Sequence, residues 1–404
     1  MSPKAHSSEV DILIVGGGMV GATLALLCQH LPWSVGLVDP RSAGTPTTTP
    51  PQSAADFQPR VSAFSLHSEQ ILRQINVWQS LASERISSYQ RMRVWDAEGT
   101  GELDFKPELL QLNALGYIIE NQLVEQQLWQ ALATSTVHCF SETRVVTATR
   151  NEPDTSWQVM LEDGTQLGCK LLLIADGARS PLRDQLGFEQ RRWSYQQTAV
   201  VANVTHREPH QDTAWQAFHR HGPLAFLPLA LPHASTVVWS LDQTAADTFL
   251  TSSPEAQARA LSAGIGYRLG EVELASSIHS LPLHQQHSIH YIQPQVALLG
   301  DAAHSIHPLA GQGVNIGLLD AEAMAKTLNE AAQNQWSITE FLLLRRYQRQ
   351  RQPHNLSTML AMEGLKRLFG EPQPAVHLLR NAGLRAFAKH PVLLKAAMRF
   401  ASGL

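Results

Sequence analysis

Asp301, His304 and His307 fall within one short stretch, GDAAHSIHPLAGQGVN (300–315), followed at once by Pro308 and a Gly311-Gln312-Gly313 turn. These residue types permit three chemistries. A carboxylate with two imidazoles could ligate a metal. A histidine near a carboxylate could move protons, which makes His304 a candidate acid or base. Glycines leading into a helix could present backbone N–H groups to a phosphate or another anion. The metal reading is the weakest, because the proline and glycines make this a loop and no other His, Asp or Glu cluster completes a ligand set. The three cysteines, Cys28, Cys139 and Cys169, are far apart and form no C-x-x-C pair, so no zinc site or disulfide framework is indicated.

A second constellation is more specific. Gly16, Gly18 and Gly21 form G-x-G-x-x-G between an apolar strand and an apolar helix. The first glycine allows a tight turn, the second lets backbone approach a pyrophosphate, and the third lets helix and strand pack closely. Asp39 ends the next strand, 18 residues beyond Gly21, where an acid accepts hydrogen bonds from a ribose. This predicts dinucleotide binding without distinguishing FAD from NAD(P). A third group, Asp176-Gly177-x-x-Ser180-x-x-Arg183, follows the apolar run CKLLLIA and in isolation reads as an ordinary turn.

The elements that must hold these residues can be read from periodicity. Residues 10–39 read as strand, turn, helix and strand, and residues 40–59 as a Pro/Thr-rich loop. Helices are expected over 65–81 and 121–133, a hairpin over 90–105, and strands over 144–175. Residues 190–290 are dominated by short strands, with a helix near 253–264. A buried strand at 296–300 leads into the opening motif and a helix at 313–332, and 337–404 is helical. The expected domains are therefore interleaved: 1–75, 116–189 and 291–330 as a Rossmann-like cofactor domain, 76–115 and 190–290 as a mainly β-sheet substrate domain, and 331–404 as a helical C-terminal region.

The chain has 404 residues, 44% hydrophobic, with a net charge of −4. Such a balance does not suggest nucleic-acid binding. The polar N-terminus lacks a signal-peptide core, and the apolar run 12–28 is split by three glycines, so no transmembrane helix is expected and a cytoplasmic location is. From 372 to 404 no acidic residue occurs, while Arg380, Arg385, Lys389, Lys395 and Arg399 alternate with apolar residues. That pattern suits a basic helix packed on the core, or one that docks on a partner or on a membrane surface such as an inner membrane.

Taken together, IVGGGMVG, ADGARSPLR and LLGDAAHSIHPLAGQGVN resemble the signatures of the aromatic-hydroxylase group of flavoprotein monooxygenases, over nearly the entire chain. PRVSAFS, GYIIENQLVEQQLW, GPLAFLPL and LLRNAGL make it resemble, more narrowly, the ubiquinone-biosynthesis hydroxylases. The resemblance implies an α/β fold like that of para-hydroxybenzoate hydroxylase, FAD as the bound cofactor, NAD(P)H or another donor engaged transiently, and O2 as co-substrate. It implies that Arg60 and Asn121 contact the cofactor, though alone they read as a loop residue and a helix N-cap. Asp176 and Gly177 would join the site, Asp301 would bond a ribityl hydroxyl, and Pro308, Gly311 and Gly313 would line the flavin ring. The helix dipole there would stabilise negative charge on reduced flavin. No second G-x-G-x-x-G follows a strand, so no separate nicotinamide domain is evident.

The implied reaction is attack of a flavin C4a-hydroperoxide on the ring of a polyprenylated phenol or quinol. Phe226, Leu227, Pro228 and Trp239 are the candidate apolar wall, with plain sheet packing as the alternative. MRVWDAEGTGELDF and AMEGLKRLF lean toward the C5-hydroxylating branch; TAWQAF and GPLAFLPL also resemble the C6 branch, and C1 remains a third position. A flavin-dependent isoprenoid reductase and a scaffold among other ubiquinone-biosynthesis proteins are the rival classes.

Overall fold

A computed structural model describes residues 7–42, 44, 47, 49–151, 156–305, 313–371 and 373–402. Pro308 and Gly311, with His307, lie outside the described residues.

Ile12, Leu13 and Ile14 of the strand Ser7–Val15 are wholly buried. A strand apolar on both faces belongs in the middle of a covered parallel sheet. It lies between Gln166–Ile174 and Val35–Asp39, parallel to both. Val296–Leu298 pairs beyond the first and His138–Ser141 beyond the second, again in parallel. Val15 stands opposite Ile174 and Val38, and Ile174 opposite Leu298. The carboxyl ends of these four strands are therefore level. Each ends in, or within two residues reaches, a chemistry-bearing residue: Gly16, Asp39, Asp176 and Gly300. Ligands of open α/β sheets bind along this edge.

The second unit is a nine-stranded sheet. Its main order is His304–Ser305, His279–Ser288, Gln190–His206, Ala234–Asp242, Gly222–Pro228, Thr213–His219, Arg91–Asp96 and Glu102–Phe105. One face is covered by the helices Gln243–Thr251 and Pro254–Gly264 over a core that includes Phe226, Val237 and Leu261. On the other face Ala225 and Leu227 pack against Ala63 and Ile118 of a small sheet formed by Val61–Phe64, Gly116–Glu120 and Ser87–Tyr89. The mixed α/β architecture with a helical C-terminus is the expected class.

Two elements differ from the sequence reading. The helix expected over 65–81 stops at Gln74, because Asn76 turns left-handed (φ 58°), and only a single 3-10 turn follows at Trp78–Ser80. A helix at Gln243–Thr251 was not anticipated; Asp242 caps it by accepting from the Ala245 N–H at 2.9 Å. The C-terminal region is three helices, Phe341–Gly370, Pro374–Ala388 and Pro391–Ser402, the last two opened by proline.

Candidate cofactor and active site

The glycine turn is dictated by close approach. Gly16 has φ +102°, and a Cβ there would stand 2.4 Å from the Ala175 carbonyl oxygen. A Cβ on Gly21 would lie 1.8 Å from the Gly16 carbonyl oxygen, so the helix Met19–Cys28 can press on the turn only without one. Gly18 caps that helix without a side-chain hydrogen bond and opens on a cavity. Asp39 is buried, and its carboxylate accepts the Gly17 N–H at 2.6 Å and Arg41 Nε at 2.8 Å. It therefore fixes the turn from behind the cavity wall, with Arg41 rather than Asp39 itself on the lining. Arg41 also reaches Glu125 at 2.8 Å, and Trp129 donates its indole N–H to the Gly17 carbonyl at 3.0 Å. Sequence reasoning missed Arg41, Glu125 and Trp129, all of which line this end of the cavity. Arg41, two residues after the strand-ending acid, carried the available signal.

The cavity, about 1760 Å³, continues along the level strand ends to the nine-stranded sheet. Arg60 and Asn121 meet on its wall because Val61 pairs with Glu120, and the Asn121 N–H donates to the Arg60 carbonyl at 2.9 Å. Asn121 is not the cap of its helix. Glu120 is, and its carboxylate is held by Arg85 in a buried pair at 2.7 and 2.8 Å. The Asn121 Oδ1 is buried with no hydrogen-bond partner among the described residues. A buried orphan acceptor on a cavity wall is costly unless something donates to it.

Gly177 (φ +90°) lines the cavity with Ala175 and Ala178, while Asp176 stands behind that wall. Burial pushes the Asp176 carboxyl up to about 6, and its Oδ1 is unpartnered among the described residues. Arg183 joins the second motif to the third: its guanidinium donates to the Ala178 and Ala302 carbonyls at 3.1 and 3.2 Å. Gln286 does the same from the other sheet, to Ala178 at 2.6 Å and Asp301 at 3.1 Å. Asp301 opens to the cavity but is otherwise densely enclosed, and desolvation raises its pKa against the pull of His304 and Arg60. Gly313 and Val314 bring the start of the helix Gly313–Gln333 to the same wall. Asn315, also missed, pins that helix by accepting from the Ser65 N–H at 2.9 Å and donating to the Ala63 carbonyl at 2.7 Å.

Comparison with known proteins matches residues 9–359 to the family model described as an FAD binding domain. The 3-demethoxyubiquinol 3-hydroxylase of Escherichia coli (strain K12) is 35% identical over 403 residues, covering 98% of this chain and 100% of that protein. A mitochondrial ubiquinone biosynthesis monooxygenase of Danio rerio is 33% identical over 451 residues, covering 99% and 91%. The crystal structure of p-nitrophenol 4-monooxygenase from Pseudomonas putida DLL-E4 superposes with a TM-score of 0.77 at 18% identity, over 98% and 99% of the two chains. The chain belongs to the ubiquinone-biosynthesis hydroxylase family. It is an FAD-dependent monooxygenase.

The residues fit the cofactor of this hydroxylase family. The glycine turn admits backbone and nothing larger, the Asn121 acceptor awaits a donor, and among the described residues nothing stands within 4 Å of where a Cβ on Gly313 would be. Gly16, Gly18, Gly21 and Asp39 would hold the ADP half, and Arg60, Asn121, Asp301 and Gly313 the ring half. When bound, FAD supplies the redox chemistry that a side chain cannot. The chain's own contribution is to hold it, to set charge around it and to exclude water.

The apolar wall of the monooxygenase differs in part from expectation. Leu227 lines the cavity, together with Ala199, Val201, Val238 and Leu283. Phe226 and Trp239 do not. Strand residues alternate between faces, and both point to the helix-covered side, Phe226 into the core and Trp239 into a second cavity. Pro228 is likewise absent from the wall. His304 is also placed elsewhere. Its ring is buried, with Nε2 2.5 Å from Asp320, whose other oxygen is held by Arg351 at 2.7 Å. Asp320 accepts the Gly300 N–H at 3.1 Å as well, so this network supports the third motif from behind. Asp301 faces the cavity and His304 the core, which separates two of the three side chains of the metal reading.

Proposed function

We propose that this monooxygenase hydroxylates the aromatic ring of a polyprenylated phenol or quinol in ubiquinone biosynthesis, using O2 and electrons from NAD(P)H or another donor. One observation carries the reading: the cofactor cavity runs without a break to an apolar wall of Ala199, Val201, Leu227, Val238 and Leu283. Such a wall holds an electron-rich ring against the cofactor by burial and shape, and keeps water from the reacting atoms. Asp301, Arg60 and the start of the helix at Gly313 set the charge on the opposite side. The rest of the site resides in the segments 1–75, 116–189 and 291–330 as the cofactor domain, with 76–115 and 190–290 supplying the substrate side.

For ring position the motif resemblances lean to C5 of a polyprenylphenol. The name of the Escherichia coli relative favours instead the methoxylated quinol, the C6 alternative. The two are separated by offering the purified enzyme a 2-polyprenylphenol and a 2-polyprenyl-3-methyl-6-methoxy-1,4-benzoquinol and identifying products by mass spectrometry. Preferential turnover of the quinol establishes C6, and preferential turnover of the phenol establishes C5. Hydroxylation of neither, with saturation of a side-chain double bond instead, would replace this reading by an isoprenoid reductase.

A further inference from the structure

The helix Pro374–Ala388 rests Leu384 and Phe387 on the apolar cluster of Val94, Leu103, Phe218 and Phe369, yet carries a second apolar stripe on its outer side. Its buried residues are polar: Arg380 donates to Asp96 at 2.6 and 2.9 Å, and Asn381 accepts the Thr100 and Gly101 N–H groups at 2.7 and 2.6 Å. Its outward stripe is apolar. Ala375, Leu378, Leu379, Ala382 and Ala386 are all exposed at the spacing of one helix face, with Leu378 and Leu379 at 74% and 73% exposure. Neighbouring helices add Leu360 at 63% and Val392 at 78%. Single exposed leucines are ordinary, but an outward apolar face on one helix with more on its neighbours marks a contact surface.

Charge says what covers it. Residues 373–402 contain no acidic side chain. Arg380 is neutralised by Asp96, but Arg385 on this helix, Lys389 at its C-terminal cap, and Lys395 and Arg399 on the helix Pro391–Ser402 stand exposed. A second copy meeting this face symmetrically would set cation against cation. An anionic lipid surface would cover the leucines with acyl chains and the cations with headgroups. No described helix is long and apolar enough to cross a membrane, so the contact lies on the surface.

We propose that Pro374–Ala388 and Pro391–Ser402 form a peripheral docking surface for an anionic lipid bilayer. The surface argument stands on these helices alone; its use, to collect a lipid-tailed substrate, rests on the proposed function.

The test is flotation of the full-length FAD-loaded enzyme with vesicles of phosphatidylcholine, with and without phosphatidylglycerol. Binding is expected to both and to be stronger with phosphatidylglycerol. Leu378→Ser/Leu379→Ser should weaken partition at least roughly tenfold while flavin content stays normal. Arg385→Gln, Lys389→Gln and Lys395→Gln should each cost about fivefold on anionic vesicles only. No binding of the parent enzyme, binding indifferent to the leucine variant, or a dimer that the leucine variant dissociates would overturn the proposal. A water-soluble short-tailed substrate separates the two readings. Its hydroxylation without vesicle binding defeats only the docking surface. Vesicle binding without hydroxylation of any prenylated ring defeats only the function.

Discussion

At the scale of single residues, Gly21 and Asn121 make opposite demands. Gly21→Ala must place a methyl where the Gly16 carbonyl already is, and neither is the far end of a flexible side chain. The turn has to shift, and FAD affinity should fall by a factor of roughly ten or more, at least about 1.4 kcal/mol, read as flavin retained through purification. Asn121→Ala removes an acceptor that no described protein group uses. FAD should then bind roughly fivefold more weakly, the worth of about one hydrogen bond, while the apoprotein is no less stable than the parent, because an unpartnered buried acceptor has been removed. On the substrate side, Leu227→Trp should raise KM for the prenylated substrate with flavin content intact. Phe226→Ala should instead cost about 3–5 kcal/mol of stability by opening a cavity in the other core. A KM effect from Phe226 equal to that from Leu227 would contradict the assignment of faces.

At the scale of elements, legibility followed the range of the interaction that places each residue. The glycine turn is local: strand, turn, helix and strand are contiguous, so Gly16, Gly21 and Asp39 could be read directly. Arg60 and Asn121 carried only a family resemblance, since their meeting depends on pairing between strands 61–64 and 116–120. Which of Phe226 and Leu227 faces the cavity is a matter of register, and a continuous apolar run conceals the period of two. His304 misled because its partner lies on another element. Asp320 and Arg351 come from the two helices after it, and their association is a tertiary fact. That network gives an element-scale prediction. His304 and Arg351 hold the Asp320 carboxyl well below its ordinary value. A depressed carboxyl contributes stability that is fully present above its unfolded value, about pH 4, and is lost only as pH falls through the lower folded value. Asp320→Ala should therefore cost about 3–5 kcal/mol near neutral pH by leaving Arg351 buried without its carboxylate. The gap between variant and parent in urea titrations should narrow at strongly acidic pH. An equal gap at all pH values would refute the role of ionised Asp320.

At the scale of the whole molecule, residues far apart in sequence are joined at one edge. The register that sets Val15, Ile174 and Leu298 side by side brings Gly18, Gly177 and Asp301 to one cavity, and Arg183 and Gln286 brace it. The nine-stranded sheet then closes the far end with an apolar wall. The proposed function requires one cavity to serve cofactor and ring together, with oxygen passing from O2 to the ring inside it. The most direct measurement is turnover of a prenylated phenol or quinol by the FAD-loaded enzyme under heavy-oxygen-labelled dioxygen, with the product read by mass spectrometry. One labelled oxygen atom on the aromatic ring, in step with one O2 consumed, is the predicted result. A ring oxygen drawn from water, or O2 released wholly as peroxide whatever substrate is supplied, would contradict it.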